Sequence, residues 1–98
     1  RATVRVIGDR PAGALAPGHP LVLAAADATR LTGRAPALGA ASTDANVPLG
    51  LGVPAVAVGA GGRGGDAHTP EEWYEDADGW AGVERALVLV ACAAGLAA

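Results

Sequence analysis

The first apolar pattern is an alternation. In Thr3-Val4-Arg5-Val6-Ile7, Val4 and Val6 fall on one face and Thr3, Arg5 and Ile7 on the other, which predicts a strand over residues 2–7. A turn-rich connector follows from Gly8 to Gly13, and Pro17-Gly18 repeats the turn signal. Pro20 then opens a predicted helix to about Thr32. Leu21, Ala24, Ala25, Ala28 and Leu31 recur there at helical spacing, and Gly33 supplies the stop. Residues 36–41 are small and apolar, and predict a short buried strand. The polar run Ser42-Thr43-Asp44-Ala45-Asn46 precedes one or two helical turns over residues 47–51, ended by Gly52. Residues 53–58 give the clearest strand signal, apolar on both faces as in a covered, largely parallel sheet. Thr69, Pro70 and Glu72 form a capping-box pattern that predicts a short helix from Pro70 to about Asp76. Asp78 is placed to cap a last helix over residues 79–96. Its stripe Val83, Leu87, Val90 and Ala94, with Ala and Leu around it, predicts burial on more than one side.

Helices alternating with short apolar strands predict an α/β class, a layered sheet with covering helices. Residues 1–13 read as a different layer or domain from residues 14–98, and no internal repeat is present.

Composition refines this picture. Ninety-eight residues suit one small domain or part of a larger one. The hydrophobic fraction is 51%, with no Phe and no Met, so any core is built from Ala, Val and Leu. A net charge of -3 without a Lys/Arg cluster argues against a nucleic-acid surface. The single cysteine, Cys92, has no intrachain disulfide partner and reads as a small buried apolar residue, compatible with a cytoplasmic location. No signal-peptide pattern is seen, and the apolar run 86–98 is shorter than the ~20 residues of a bilayer span. The strand at 2–7 has no earlier partner in the sequence, which suggests a piece of a longer polypeptide.

Candidate chemistry concentrates at residues 59–74. Gly59, Gly61, Gly62, Gly64 and Gly65 make a loop able to approach a ligand closely, and it delivers His68 to the predicted helix start. An imidazole held there suits a metal ligand or a proton carrier; a lone histidine is also commonly structural. The only other histidine is His19, and no HxH, HExxH or CxxC spacing occurs. A catalytic zinc usually takes three protein ligands, so a metal reading needs ligands from outside this chain. Gly59-x-Gly61-x-x-Gly64 matches the dinucleotide fingerprint in form, but the predicted helix begins only at Pro70 and no P-loop Lys-Ser/Thr follows. The 42–46 run is either a helix cap, with Ser42 or Asp44 holding backbone N–H groups, or a polar cluster at a strand end where α/β sheets place ligands. Glu71 and Glu72 fit a first helical turn, and Trp73 and Tyr74 fit packing with a polar edge.

Three segments in order resemble the C-terminal part of the M20 family of zinc-dependent metallopeptidases, which includes aminoacylases, carboxypeptidases, tripeptidases and desuccinylases. They are Val6-Ile7-Gly8-Asp9-Arg10-Pro11-Ala12-Gly13, similar to the end of the family's lid domain; residues 42–56; and the glycine loop with Ala67-His68-Thr69-Pro70-Glu71-Glu72-Trp73. The resemblance implies a catalytic α/β domain interrupted by a lid domain that often dimerises. It implies two zinc ions held by two histidines and three carboxylates, with a separate glutamate activating water. His68 matches the last metal ligand; the other ligands and that glutamate belong to the family's N-terminal half. Asn46 and Thr43 match a stretch bordering the substrate pocket, and Gly62 and Arg63 would line the same pocket. The implied partners are the N-terminal half of the catalytic domain, a peptide or acyl-amino-acid substrate and a second copy in a homodimer. A chain with only this half is expected to be inactive alone.

Three functions therefore compete: the C-terminal segment of a dinuclear zinc peptidase or amidohydrolase; a non-catalytic binding or assembly module with an M20-like shell; and, as a minor reading, a nucleotide-binding fragment. An upstream reading frame carrying HxD and a Glu-Glu pair would favour the first.

Overall fold

The computed structural model describes residues 1–95. It contains three helices and one two-stranded antiparallel sheet, in the order α1 (Pro20–Leu31), α2 (Asn46–Gly50), β1 (Arg63–Gly65), β2 (Trp73–Glu75) and α3 (Gly79–Ala93). The chain is thus of mixed α/β type.

α1 starts where the sequence predicts, at Pro20, but the cap is an imidazole. His19 is extended, and its Nδ1 accepts from the Leu21 N–H at 3.1 Å. The helix ends before Thr32 and Gly33, whose φ of +82° breaks the spiral. α3 begins with Asp78 at the cap position, yet the carboxylate that takes its first free N–H is that of Asp76, from Gly79 at 2.9 Å. Asp78 does not cap because its side chain is drawn away by Arg34 and the Gly62 N–H. α3 ends at Ala93, so the predicted extension reaches Leu96 only outside the described residues.

α1 and α3 pack against each other and hold the core: Val22, Ala28 and Thr29 are buried on the first, Ala81, Gly82 and Leu89 on the second. Burying Val22 and Leu89 stabilises by about 2 kcal/mol each. The small residues let the backbones approach. Thr29 is buried without cost to its hydroxyl, which donates to the Ala25 carbonyl at 2.8 Å. The α3 stripe is otherwise open: Val83, Leu87 and Val90 are exposed, and so is Cys92, which the sequence placed inside.

The predicted layered sheet is not formed. Residues 2–7, 36–41 and 54–58 form no regular element and make no backbone–backbone hydrogen bonds among the described residues. A strand needs a second chain segment for its N–H and C=O groups, and none pairs with them among the described residues. Their side chains stay open as a result, with Val4 91% and Leu38 65% exposed. The one sheet lies where a helix was predicted. Residues 70–76 do not form a helix: Trp73–Glu75 pairs antiparallel with Arg63–Gly65, in the register Arg63↔Glu75, Gly64↔Tyr74 and Gly65↔Trp73. Aromatic residues favour strands, and the facing glycines make room for them. A Cβ at Gly65 would meet the Trp73 indole, and one at Gly62 the Tyr74 ring.

The whole is extended, 63 × 35 × 19 Å, with a radius of gyration of 16.4 Å. A compact domain of this length would have about 13 Å. No helix among the described residues is long and apolar enough to cross a membrane.

Candidate functional site

The polar run before α2 is an organising knot. Asn46 Oδ1 accepts from the Thr43 N–H at 2.9 Å, and Thr43 Oγ1 accepts from the Ala45 N–H at 3.2 Å. The capping role expected of Ser42 or Asp44 is not filled: no side chain caps α2, and Thr43 and Asn46 tie up backbone N–H groups of the run before it. Ser42 and Asp44 instead accept from Arg10, both at 3.2 Å, and Asn46 Nδ2 donates to the Pro11 carbonyl at 3.0 Å. Gly13 and Gly50 complete the crossing: a Cβ at Gly50 would collide with the Pro11 ring. Thr43 and Asn46 are half-buried and line one groove of about 360 Å³. Its other walls include Leu15, Val22, Leu38 and Leu49, with residues 55–58 along one side. It is an apolar trough with a two-residue polar edge.

The second assembly is the glycine loop with the β1–β2 hairpin. His68 lies on the connection between the strands with φ +66°, two residues after Asp66 at φ +54°. Both are in the left-handed region, which costs a non-glycine residue energy. The turn is tied by Thr69, whose N–H and hydroxyl both donate to the Asp66 carbonyl. The Glu72 N–H reaches the Thr69 main-chain carbonyl at 3.1 Å, so this is a turn and not a capping box. His68 is exposed and makes no hydrogen bond or ion pair among the described residues. Arg63 pairs with Glu75 directly across the hairpin. Both side chains are exposed, so the pair is worth under about 1 kcal/mol.

Beneath this loop lies a smaller cavity of about 190 Å³ between the loop, the segment after α1 and the first turns of α3. Gly62 lines it and donates its N–H to Asp78 Oδ1 at 2.9 Å. Arg34 pairs with the same carboxylate. Arg85 crosses from α3 to donate to the Gly59 carbonyl and, at 3.4 Å, to Thr29 Oγ1.

Thr43 and Asn46 are therefore brought together on one groove, Gly62 lines a separate cavity, and Arg63 sits beside it on the hairpin. His68 lines neither cavity. Sequence reasoning missed Arg34, Asp78 and Arg85 as a cluster. The one available signal was Arg85 itself, a lone cation at the start of an apolar helical run. Among the described residues no three of His, Cys, Asp and Glu come together as a metal-holding group. These residues do not fit a dinuclear metal centre by themselves, since His68 offers one imidazole and no carboxylate joins it. No family model, no curated protein and no solved structure matches the chain.

Proposed function

We propose that the chain is the C-terminal segment of a zinc-dependent peptidase or amidohydrolase of the M20 type, cleaving a peptide or N-acyl amide bond in the cytoplasm together with an N-terminal half. What supports the reading is the knot at Asn46. It ties the first M20-like segment, at Pro11, to the second, at Thr43–Asn46, across 35 positions of sequence. Asn46 and Thr43 then edge an apolar groove able to take a small aliphatic group, while His68 is exposed on its turn and open to a neighbouring surface. On this reading the two zinc ions, their carboxylates and the activating glutamate are supplied from outside the chain. No hydrolytic step is derived from the residues in hand.

The test is purification of the protein from its source by an antibody to this chain, with zinc content and hydrolysis of N-acetyl amino acids measured for wild type and His68→Ala. Loss of zinc and of activity in the variant is expected. Survival of both would remove His68 from the metal site.

A second reading, a binding or assembly module, is favoured by the unpaired segments 2–7, 36–41 and 54–58. Exposed apolar strands of this kind associate. Light scattering on the isolated chain separates the two: the module reading predicts a defined oligomer with no zinc and no hydrolysis.

A further inference from the structure

Arg85 is a guanidinium without a counter-charge. No carboxylate among the described residues lies within ion-pair distance of it. Its two Nη groups reach only neutral oxygens, those of Thr29 and Gly59. Its Nε is sealed from water and has no hydrogen-bond partner among the described residues. A sealed donor on a half-buried charged group carries a desolvation penalty that native structures rarely leave uncompensated. The same side chain lines the 190 Å³ cavity under the glycine loop, which has room for several waters.

A carboxylate beside the cavity shows how two of its lining residues hold an anion. The Asp78 carboxylate, 16% exposed, is held by the Arg34 guanidinium and by the Gly62 N–H. That pair neutralises Arg34, so among the described residues lining the cavity Arg85 is the one charge left unbalanced. We propose that the cavity is a seat for a small oxyanion, a carboxylate or phosphate group of a ligand, with Arg85 as its principal donor. The planar fork of a guanidinium presents parallel N–H groups matched to either. An anion entering would take over the Nη donors now spent on Gly59 and Thr29. Partial removal from water strengthens the attraction beyond that of a surface arginine. Gly61, Gly62 and Gly82 bring backbone rather than side chains to its lining. The argument for this seat does not use the peptidase reading: it shares Gly62 with that reading's substrate residues, but neither His68 nor the Asn46 groove takes part in it.

The test is a titration of the isotopically labelled 98-residue chain with sodium phosphate and, separately, with sodium acetate, at an ionic strength fixed with sodium chloride. Saturable shifts are expected at the Gly59, Gly61, Gly62 and Gly82 amides and at the Arg85 Nε–H. Phosphate alone, acetate alone or both acting this way supports the seat and names the ligand group. Arg85→Gln should weaken binding roughly tenfold or more. Arg30→Gln, which removes an exposed charge paired within α1, should leave the titration unchanged. Should Arg85→Gln lose its helical circular dichroism, the Arg85 Nε–H signal of the wild type decides alone. Shifts that rise linearly without saturating, no response at Arg85, or full binding retained by a folded Arg85→Gln would each overturn the proposal.

Discussion

The α1–α3 pair and the unpaired segments 36–41 and 54–58 are made of the same material, Ala, Val and Leu, yet only the helices bury any of it well. The difference lies in where each backbone finds its partners. α1 and α3 close their hydrogen bonds within themselves, so they need a neighbour only for side chains, and each is the other's neighbour. An extended segment needs a neighbour for its main chain first. Without one, residues 36–41 and 54–58 stay as the walls of an open groove. Apolar composition therefore sets the wish for burial, and the local closure of hydrogen bonds decides which part achieves it.

The sharpest contrast between these regions should be in amide exchange. Protection should concentrate in α1 and α3 and be near absent over residues 36–41 and 54–58, read by hydrogen–deuterium exchange with mass spectrometry. Concentration-dependent protection of the unpaired segments would mean that copies pair in solution. Next in size is Ala28→Asp. Ala28 is 1% exposed at the helix contact, and an unpaired carboxylate there should cost about 3–5 kcal/mol. Loss of most of the helical signal at 222 nm is expected; a normal urea midpoint would show that the helix contact does not hold the fold. Asn46→Ala should cost about 1 kcal/mol and free the N-terminal residues, so trypsin should cut faster after Arg5. Unchanged cleavage would show that the Pro11 link does not restrain that arm. The smallest effect is expected for His68→Gly, within about 0.5 kcal/mol of wild type by urea unfolding. Relief of the left-handed strain is offset by the freer unfolded chain. A large destabilisation would reveal a packing role for the imidazole.

The helices were readable because their signals are local. Pro20, Gly33, Gly52 and the periodic Ala and Leu positions need nothing from distant residues, and α1, α2 and the start of α3 follow from them. The hairpin was misread because Thr69, Pro70 and Glu72 promise a helix locally. The preference of Trp73 and Tyr74 for a strand and the glycines facing them in register outweigh that promise. The apolar runs at 36–41 and 53–58 announced burial but could not announce a partner, which no stretch of sequence carries within itself. At the site, the Thr43–Asn46 cluster was visible as a polar run, but its side chains hold that run together and bind Arg10 and Pro11, and none caps α2. Arg34, Asp78 and Arg85 were not visible, because they lie as much as 51 positions apart, as the span from 34 to 85 gives, and meet only after α1 and α3 have packed.

Gly82 carries a consequence for how relatives of this chain would be recognised. A Cβ there would run into the Ala60 carbonyl, so the loop rests directly on the backbone of α3. Position 82 is therefore a spacer whose required width is zero, and it fixes the separation between a variable loop and an otherwise replaceable apolar helix. Loop length and sequence can drift, and Ala, Val and Leu can trade places along α3, without disturbing that separation. In a set of related chains, a glycine one turn into the last helix should then persist where the residues around it do not. Chains lacking it should carry a displaced loop and, with it, a cavity of different shape.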